Sequence, residues 1–165
     1  MESYALLLAS TLNAGTVLAI ASLGLLINEK SGIVNLGAEG LMLCAALAGF
    51  VTVVHTGSDW IGFLAGMGVG AVLAAIFGVL VIWLNTNQYA TGLALTLFGA
   101  GLSSFAGVNA VQATLPERHH YVVPLLGNIP LIGPALFRQH PLVYVTIALV
   151  FGLIWFLYRT RAGLV

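Results

Sequence analysis

The charged residues of this chain are so few that they leave long stretches with no charge at all. Only 6% of its 165 residues are charged, five basic and five acidic, while 60% are hydrophobic. About a quarter of the residues in a typical soluble domain are charged. No charge interrupts residues 3–27, and none interrupts residues 40–54. A chain this poor in charge cannot cover a surface in water, so the sequence predicts a membrane protein.

Five apolar stretches are long enough to cross a bilayer as helices. A helix rises about 1.5 Å per residue and a hydrocarbon core is about 30 Å thick, so about 20 apolar residues suffice. Lipid gives backbone amides no hydrogen-bond partner, which favours helices, and the alternating segments of a barrel are not seen. The sequence predicts an all-α, polytopic transmembrane helix bundle in one domain, residues 1–165. Its spans are predicted at residues 4–27, 36–54, 60–84, 89–112 and 141–158.

The first apolar stretch is predicted to be a retained span and not a signal peptide. No basic residue precedes it, and it is longer than the ~7–15 apolar residues of a signal sequence. Five spans place the two chain ends on opposite sides of the membrane. Arg159 and Arg161 follow the last span, which favours a cytoplasmic C-terminus because basic residues are enriched on that side.

The segment at residues 116–141 is predicted to be a loop, because it holds all five prolines. His119 and His120 lie in it without a third ligand nearby, so no metal site is predicted there. Cys44 has no second cysteine to pair with and is predicted to be a packing residue. No cofactor is predicted, and a net charge of zero gives no indication of a nucleic-acid partner.

Small residues recur every fourth position in the third span. Positions i and i+4 share one helix face, so this spacing predicts a groove that another helix can approach closely. The fourth span repeats the pattern at its C-terminal end. The small residues of the third span are Gly62, Gly66, Gly70, Ala74 and Gly78, and those of the fourth are Gly99, Ser103 and Gly107.

A polar insert, residues 28–40, separates the first two apolar stretches and leaves two interpretations open. In the first, Asn35 is the N-cap of the second span and Glu39 is favoured by the helix dipole in its first turn. In the second, the glycines Gly32, Gly37 and Gly40 allow a discontinuous second span, and Glu39 faces a polar cavity. A charged side chain inside a span is costly unless it meets water or a partner, which favours a functional role.

The insert also resembles a known motif. The run "NEKSGIVNLGAEGLML" is similar to the signature of permease subunits of bacterial ABC importers, in the branch that handles nucleosides and simple sugars (the branched-chain amino acid/ribose-type family). Two further runs, "NTNQYATGLAL" and "YRTRAGLV", resemble that family in the same order along the chain. The substitutions are mild, with Lys30 where the family usually has arginine and Leu41 where it has methionine.

The resemblance implies a permease subunit in the bacterial plasma (inner) membrane that moves a nucleoside or simple sugar into the cytoplasm. It implies four kinds of partner: a second permease subunit, cytoplasmic ATP-binding subunits, an extracytoplasmic substrate-binding protein and the lipid bilayer. It also implies that the chain corresponds to the N-terminal half of such a permease. Expected pathway or gating residues are Asn35, Gly37, Glu39, Gly40, Asn87, Gln88 and Thr91, and Arg159 and Arg161 are expected at the ATPase side.

Two rival functions are weighed against this one. A fragment of an ion-coupled secondary transporter or channel would also carry an intramembrane carboxylate, but it would need no ATP-binding subunit. An intramembrane enzyme is disfavoured, because the sequence has no HExxH or GxSxG motif. No GxxxxGK[ST] motif is present either, so ATP hydrolysis is expected on a separate subunit.

Overall fold

The computed structural model describes residues 2–113 and 141–160, which form five long helices and, within those residues, no strand. Each helix is long and apolar enough to cross a membrane, so the prediction of an all-α transmembrane chain with five spans is confirmed. The helices are α1 (Glu2–Lys30), α2 (Ala38–Thr56), α3 (Asp59–Gly78), α4 (Gln88–Gly107) and α5 (Pro141–Arg159).

The five helices differ from the predicted spans by up to six residues at their ends, and the differences at α2 and α4 bear on the polar insert and its neighbours. Helix α2 is continuous from Ala38 to Thr56, so the discontinuity that one interpretation placed within the second span is not found there, and the non-helical residues 31–37 precede the helix. The fourth span was expected to reach residue 112, but α4 ends at Gly107, where a 3-10 turn (Val108–Ala110) follows. The predicted loop with His119 and His120 lies outside the described residues, as does Arg161.

The described helices fall into two compact units. One unit, Asn28–Arg118, contains α2, α3 and α4, and the other contains α1 up to Ile27 together with α5. The organisation of residues 1–165 as one domain therefore stays a prediction. The first of these units contains the polar insert.

Helix α2 turns directly into α3 through a left-handed glycine. Gly57 has a φ of 68°, and its N–H donates to the Val53 carbonyl at 2.8 Å, which ends α2. A left-handed φ favours glycine, because glycine has no Cβ to clash with the backbone. Ser58 alone separates Gly57 from the first residue of α3, so the two helices form an antiparallel hairpin.

The hairpin is packed through small residues. A Cβ built on Gly62 would lie 2.8 Å from the Gly49 carbonyl oxygen and would collide with the Val53 side chain. A Cβ built on Gly66 would lie 2.9 Å from the Ala45 carbonyl oxygen. At Gly78, by contrast, no described atom lies within 4 Å of a built Cβ. Helix α2 therefore covers the first part of the small-residue face of α3, where the helices approach to main-chain contact.

Helix α3 ends in an irregular turn that leads into α4. Residues Val79–Trp83 form a π-helical turn, and Asn85 then adopts a left-handed φ of 50°. Both the N–H and the hydroxyl of Thr86 donate to the Leu80 carbonyl, at 3.1 and 2.8 Å. Both bonds satisfy the Leu80 carbonyl, which lies near the end of the turn and would otherwise lack a partner.

We predict that Gly62→Ala destabilises the α2–α3 hairpin by about 1–3 kcal/mol, because the added methyl group overpacks a main-chain contact. The matched control is Gly68→Ala on the same helix, where a built Cβ meets no described atom within 4 Å. The unfolding midpoint in a detergent titration measures both variants. Equal midpoints for the two variants would contradict the packing described here.

Candidate functional site

The polar insert begins where α1 ends. The Asn28 carbonyl accepts hydrogen bonds from the N–H groups of Ser31 and Ile33, at 3.1 and 3.0 Å. Gly32 makes this reversal possible with a φ of 82°, a conformation that favours glycine. The chain then runs through a connecting segment, residues 31–37, that is not helical. Its backbone groups need partners, because a bilayer supplies none.

Asn35 supplies one of these partners from within the segment. Its side chain is buried, at 8% exposed, and its Oδ1 accepts from the Gly37 N–H at 2.9 Å. This bond spans two residues and forms an Asx turn before the helix begins. The prediction that Asn35 is the N-cap of the second span is therefore wrong. Gly37 occupies the N-cap position, without a side-chain cap, since α4 approaches the backbone there and α2 starts only at Ala38.

The N-terminal half of α4 supplies the other partners. The Gln88 side-chain oxygen accepts from the Val34 N–H at 3.0 Å. Further along α4, the Thr96 hydroxyl donates to the Leu36 carbonyl at 2.8 Å. These two bonds tie the connecting segment to α4 across more than fifty residues of sequence, and each satisfies a main-chain group outside any helix.

Glycines let α4 come close enough for those bonds to form. A Cβ built on Gly92 would lie 2.9 Å from the Leu36 nitrogen and 3.0 Å from the Gly37 nitrogen. Deeper along the helices, a Cβ on Gly40 would lie 2.5 Å from the Leu95 carbonyl oxygen. A Cβ on Gly99 would collide with the carbonyl of Gly40 and lie 2.6 Å from its Cα. Neither contact leaves room for any side chain.

The same interface continues towards the far end of the two helices. The Cys44 thiol donates to the Gly99 carbonyl at 3.5 Å, and the Ser103 hydroxyl donates to the Leu43 carbonyl at 3.5 Å. The contacts advance in the same direction along both helices, so α2 and α4 run parallel. We call the set of contacts between the connecting segment with α2 and helix α4 the glycine clasp.

Glu39 lies beside the clasp but does not take part in it. The residue is exposed in the first turn of α2, and it makes no hydrogen bond or ion pair with the described residues. A carboxylate at this position is stabilised by the helix dipole. An apolar groove on α5 is lined by Val145, Leu149 and Phe156, among others, and no residue of the polar insert lines it.

The three polar residues predicted at the start of α4 have separate roles. Gln88 joins the glycine clasp, as described. Asn87 is instead the N-cap of α4, because its Oδ1 accepts from the N–H groups of Tyr89 and Ala90, at 3.0 and 3.2 Å. The hydroxyl of Thr91 pairs with that of Thr86 at 2.9 Å. These contacts bring only Gln88 to the connecting segment.

Sequence reasoning missed two residues of the clasp, Gly92 and Thr96. A signal for them exists in the sequence. Small or hydroxyl-bearing residues recur along one face of α4 at Gly92, Thr96, Gly99 and Ser103, with spacings of four, three and four. The prediction began this face at Gly99 and so omitted the half that contacts the connecting segment.

Comparison with known proteins gives consistent matches over the whole chain. Residues 7–165 match the family described as branched-chain amino acid transport system / permease component. The chain is 42% identical to the putative glucose ABC transporter permease protein TsgC13 of Haloferax volcanii, over 99% of this chain and 51% of that protein. It is 31% identical to the nucleoside ABC transporter permease protein NupC of Lactococcus lactis, over 99% of this chain and 55% of that protein.

A third relative has the same pattern of coverage. The guanosine ABC transporter permease protein NupQ of Bacillus subtilis is 30% identical, over 99% of this chain and 55% of that protein. The chain thus spans about half the length of the curated relatives that it matches. No solved structure gives a significant match.

We predict that Gly99→Ala destabilises the protein by about 3 kcal/mol, because its methyl group would occupy the position of the Gly40 main chain. Gly101→Ala, two residues away, is the control, since a Cβ there meets no described atom within 4 Å. The latter change should be neutral or stabilise the helix by up to about 1 kcal/mol. The detergent unfolding midpoint compares the two, and a Gly99→Ala midpoint at or above the control would refute the clasp.

A second prediction concerns the hydrogen bond from the Thr96 hydroxyl to the Leu36 carbonyl. Thr96→Val should destabilise the protein by about 0.6–1.7 kcal/mol, because the Leu36 carbonyl loses its donor in a non-aqueous setting. Thr52→Val is the control, since the Thr52 hydroxyl donates only to the Ala48 carbonyl of its own helix. The unfolding midpoints of the two variants are compared. A second measurement is the rate of thiol labelling of a Leu36→Cys side chain, which should rise with Thr96→Val and not with Thr52→Val.

Proposed function

Because the chain belongs to the family of permease components of branched-chain amino acid transport systems, we propose that it forms the membrane pathway of an ATP-binding cassette importer. The family and the five apolar helices identify a multi-pass protein of the plasma membrane. The observation that supports this function best is the match of nearly the whole chain to permeases named for glucose, nucleoside and guanosine.

The proposed cargo is a sugar or a nucleoside. Glucose and guanosine each contain a sugar ring with hydroxyl groups, and such groups need hydrogen-bond partners along any route through a bilayer. The transport is proposed for the longer assembly to which these helices contribute. The alternative of an ion-coupled secondary transporter predicts uptake that continues without ATP-binding subunits, and this outcome is part of the test.

Three protein partners are proposed from the family membership. Permeases of this family are not themselves catalytic, so ATP hydrolysis is assigned to separate cytoplasmic subunits. Arg159, exposed at the end of α5, is proposed to lie on their side of the membrane, as is Arg161. An extracytoplasmic binding protein would deliver the cargo, and a second permease subunit would complete the pathway.

Within this chain, we assign the pathway role to the exposed side of the polar insert. Glu39 is exposed and makes no hydrogen bond or ion pair with the described residues, and a carboxylate in a membrane span requires water or a polar partner. Asn35, Gly37, Gly40 and Gln88 are assigned a positioning role, because their described contacts hold the backbone on α4. Asn87 and Thr91 are proposed to fix the start of α4 beside the same route.

We predict that Glu39→Gln lowers the uptake rate about tenfold or more, which corresponds to about 1.4 kcal/mol in the transport barrier. The fold should be unchanged, because the Glu39 side chain is outside the clasp. Glu29→Gln, an exposed carboxylate in the last turn of α1, is the control and should transport normally. The measurement is ATP-dependent uptake of labelled glucose and labelled guanosine into proteoliposomes that contain all proposed subunits.

The assay separates the competing outcomes. Uptake of neither solute by the unaltered assembly would refute the proposed cargo, and uptake without the ATP-binding subunits would support the secondary transporter. Normal uptake by Glu39→Gln would remove Glu39 from the pathway while leaving the proposed function in place.

A further inference from the structure

The glycine clasp is held in different ways at its two ends. Towards the middle of the helices, main chain meets main chain, and a Cβ on Gly99 would lie 2.6 Å from the Gly40 Cα. Towards the start of α4, the connecting segment is held by hydrogen bonds to the side chains of Gln88 and Thr96. A side-chain hydrogen bond can break by rotation about single bonds, whereas separating two main chains requires whole helices to move apart. The end near the start of α4 is therefore the end that can open.

The Thr96 hydroxyl has a second acceptor within reach. It donates to the Leu36 carbonyl at 2.8 Å, and the Gly92 carbonyl of its own helix lies 3.3 Å away. A hydroxyl has one proton to donate and can rotate to direct it. Threonine within a helix can bond to the carbonyl four residues earlier, as it would here. The hydroxyl can therefore leave Leu36 and still have an acceptor. The bond to Leu36 is exposed, so water can replace the donor that its carbonyl loses.

The connecting segment has hydrogen bonds of its own that do not involve α4. The buried Asn35 side chain accepts from the Gly37 N–H at 2.9 Å, and the Ile33 N–H donates to the Asn28 carbonyl at 3.0 Å. These bonds remain when α4 moves away, so the segment keeps its turns. Gln88 gives up the N–H of Val34 in the same motion, and that bond is only partly buried.

The backbone that leads into α4 has the features of a hinge. Val79–Trp83 is a π-helical turn, and Asn85 has a left-handed φ of 50°. Such irregular turns are frequent at functional sites, and hinges are usually a few residues at the end of an element. The Thr86 hydroxyl donates to the Leu80 carbonyl, so the Thr91 hydroxyl is the donor in its 2.9 Å pair with Thr86. This chain of hydroxyls joins the first turn of α4 to the turn before it.

We propose that the glycine clasp is a strap that opens at one end. Helix α4 tilts about the contact between Gly40 and Gly99, so that residues 88–96 move away from the connecting segment. The backbone yields at Val79–Trp83, and the Thr96 hydroxyl passes from the Leu36 carbonyl to its own helix. The open form presents main-chain groups of the connecting segment to water. A role of this motion in gating the transport route rests on the proposed function, but the motion itself does not.

Distances between pairs of spin labels test the motion in the full chain, in lipid nanodiscs and with Cys44 replaced by alanine. Leu36→Cys paired with Tyr89→Cys reports on the end that opens, and Leu43→Cys paired with Leu102→Cys reports on the pivot. All four side chains are at least 40% exposed, so labels fit there. We expect a short and a long distance for the first pair and a single narrow distance for the second. Equal broadening of both pairs would overturn the proposal.

The acceptor exchange of Thr96 is tested with the Leu36–Tyr89 pair. Thr96→Val should raise the ratio of long to short distances by about 3-fold to 20-fold, the range expected for the loss of one hydrogen bond between membrane helices. The reason is that the Leu36 carbonyl then has no donor in the closed form and gains water in the open form. Thr96→Ser keeps the hydroxyl and should leave the ratio close to that of the unaltered chain. A single distance that Thr96→Val does not change would overturn the proposal.

A third pair of labels tests where the backbone yields. Ile76→Cys near the end of α3 and Tyr89→Cys near the start of α4 are both exposed and lie on either side of the turn Val79–Trp83. This pair should also give two distances, in the same ratio as the Leu36–Tyr89 pair. A single distance would show that the connecting segment moves and not α4, which would overturn the hinge. The spin-label distances involve no transported solute, so their failure and a failure of uptake are separate results.

Discussion

Lipid tails cannot hydrogen-bond to peptide groups, and this constraint determines how residues 31–37 can be accommodated. The segment is not helical, so its N–H and carbonyl groups cannot all be satisfied along their own chain. Helix α4 supplies hydrogen-bond partners: the Gln88 side-chain oxygen accepts from the Val34 N–H, and the Thr96 hydroxyl donates to the Leu36 carbonyl. The glycines at positions 92 and 99 are what allow α4 to approach closely enough. The non-helical segment 31–37 and the small-residue face of α4 therefore depend on each other.

Helix α2 is held on two faces by different helices. Towards α3 it presents Ala45 and Gly49, which meet Gly66 and Gly62, and towards α4 it presents Gly40 and Cys44. In water, hydrophobic burial would dominate such packing, but in a bilayer close van der Waals contact and hydrogen bonds have to hold helices together. Small residues on both faces of α2 explain why a chain with so few buried large side chains forms a three-helix unit.

The sequence was most informative about properties that depend on neighbouring residues, such as hydropathy and the ends of helices. The scarcity of charge predicted the membrane and the five helices, and the positions of Glu29, Lys30 and Asp59 marked helix ends to within a few residues. Contacts between distant segments were harder to predict, because nothing in the sequence around Val34 indicates Gln88 as its partner. The N-cap prediction for Asn35 failed by a short distance along the chain, because its side chain accepts from the Gly37 N–H two residues on and α2 begins only at Ala38. Helix α4 packs against the backbone at Gly37.

The contact between Gly40 and Gly99 restricts how this region can change over evolutionary time. At each of these glycines, a Cβ would meet the main chain of the facing helix. A second mutation can replace a bulky side chain with a smaller one, but it cannot remove main-chain atoms. A larger residue at either position would force the helix axes apart. That separation would also stretch the bonds from Thr96 and to Gln88. Compensatory substitutions should consequently be rare here, and a lineage that loses one glycine would have to rebuild the entire crossing.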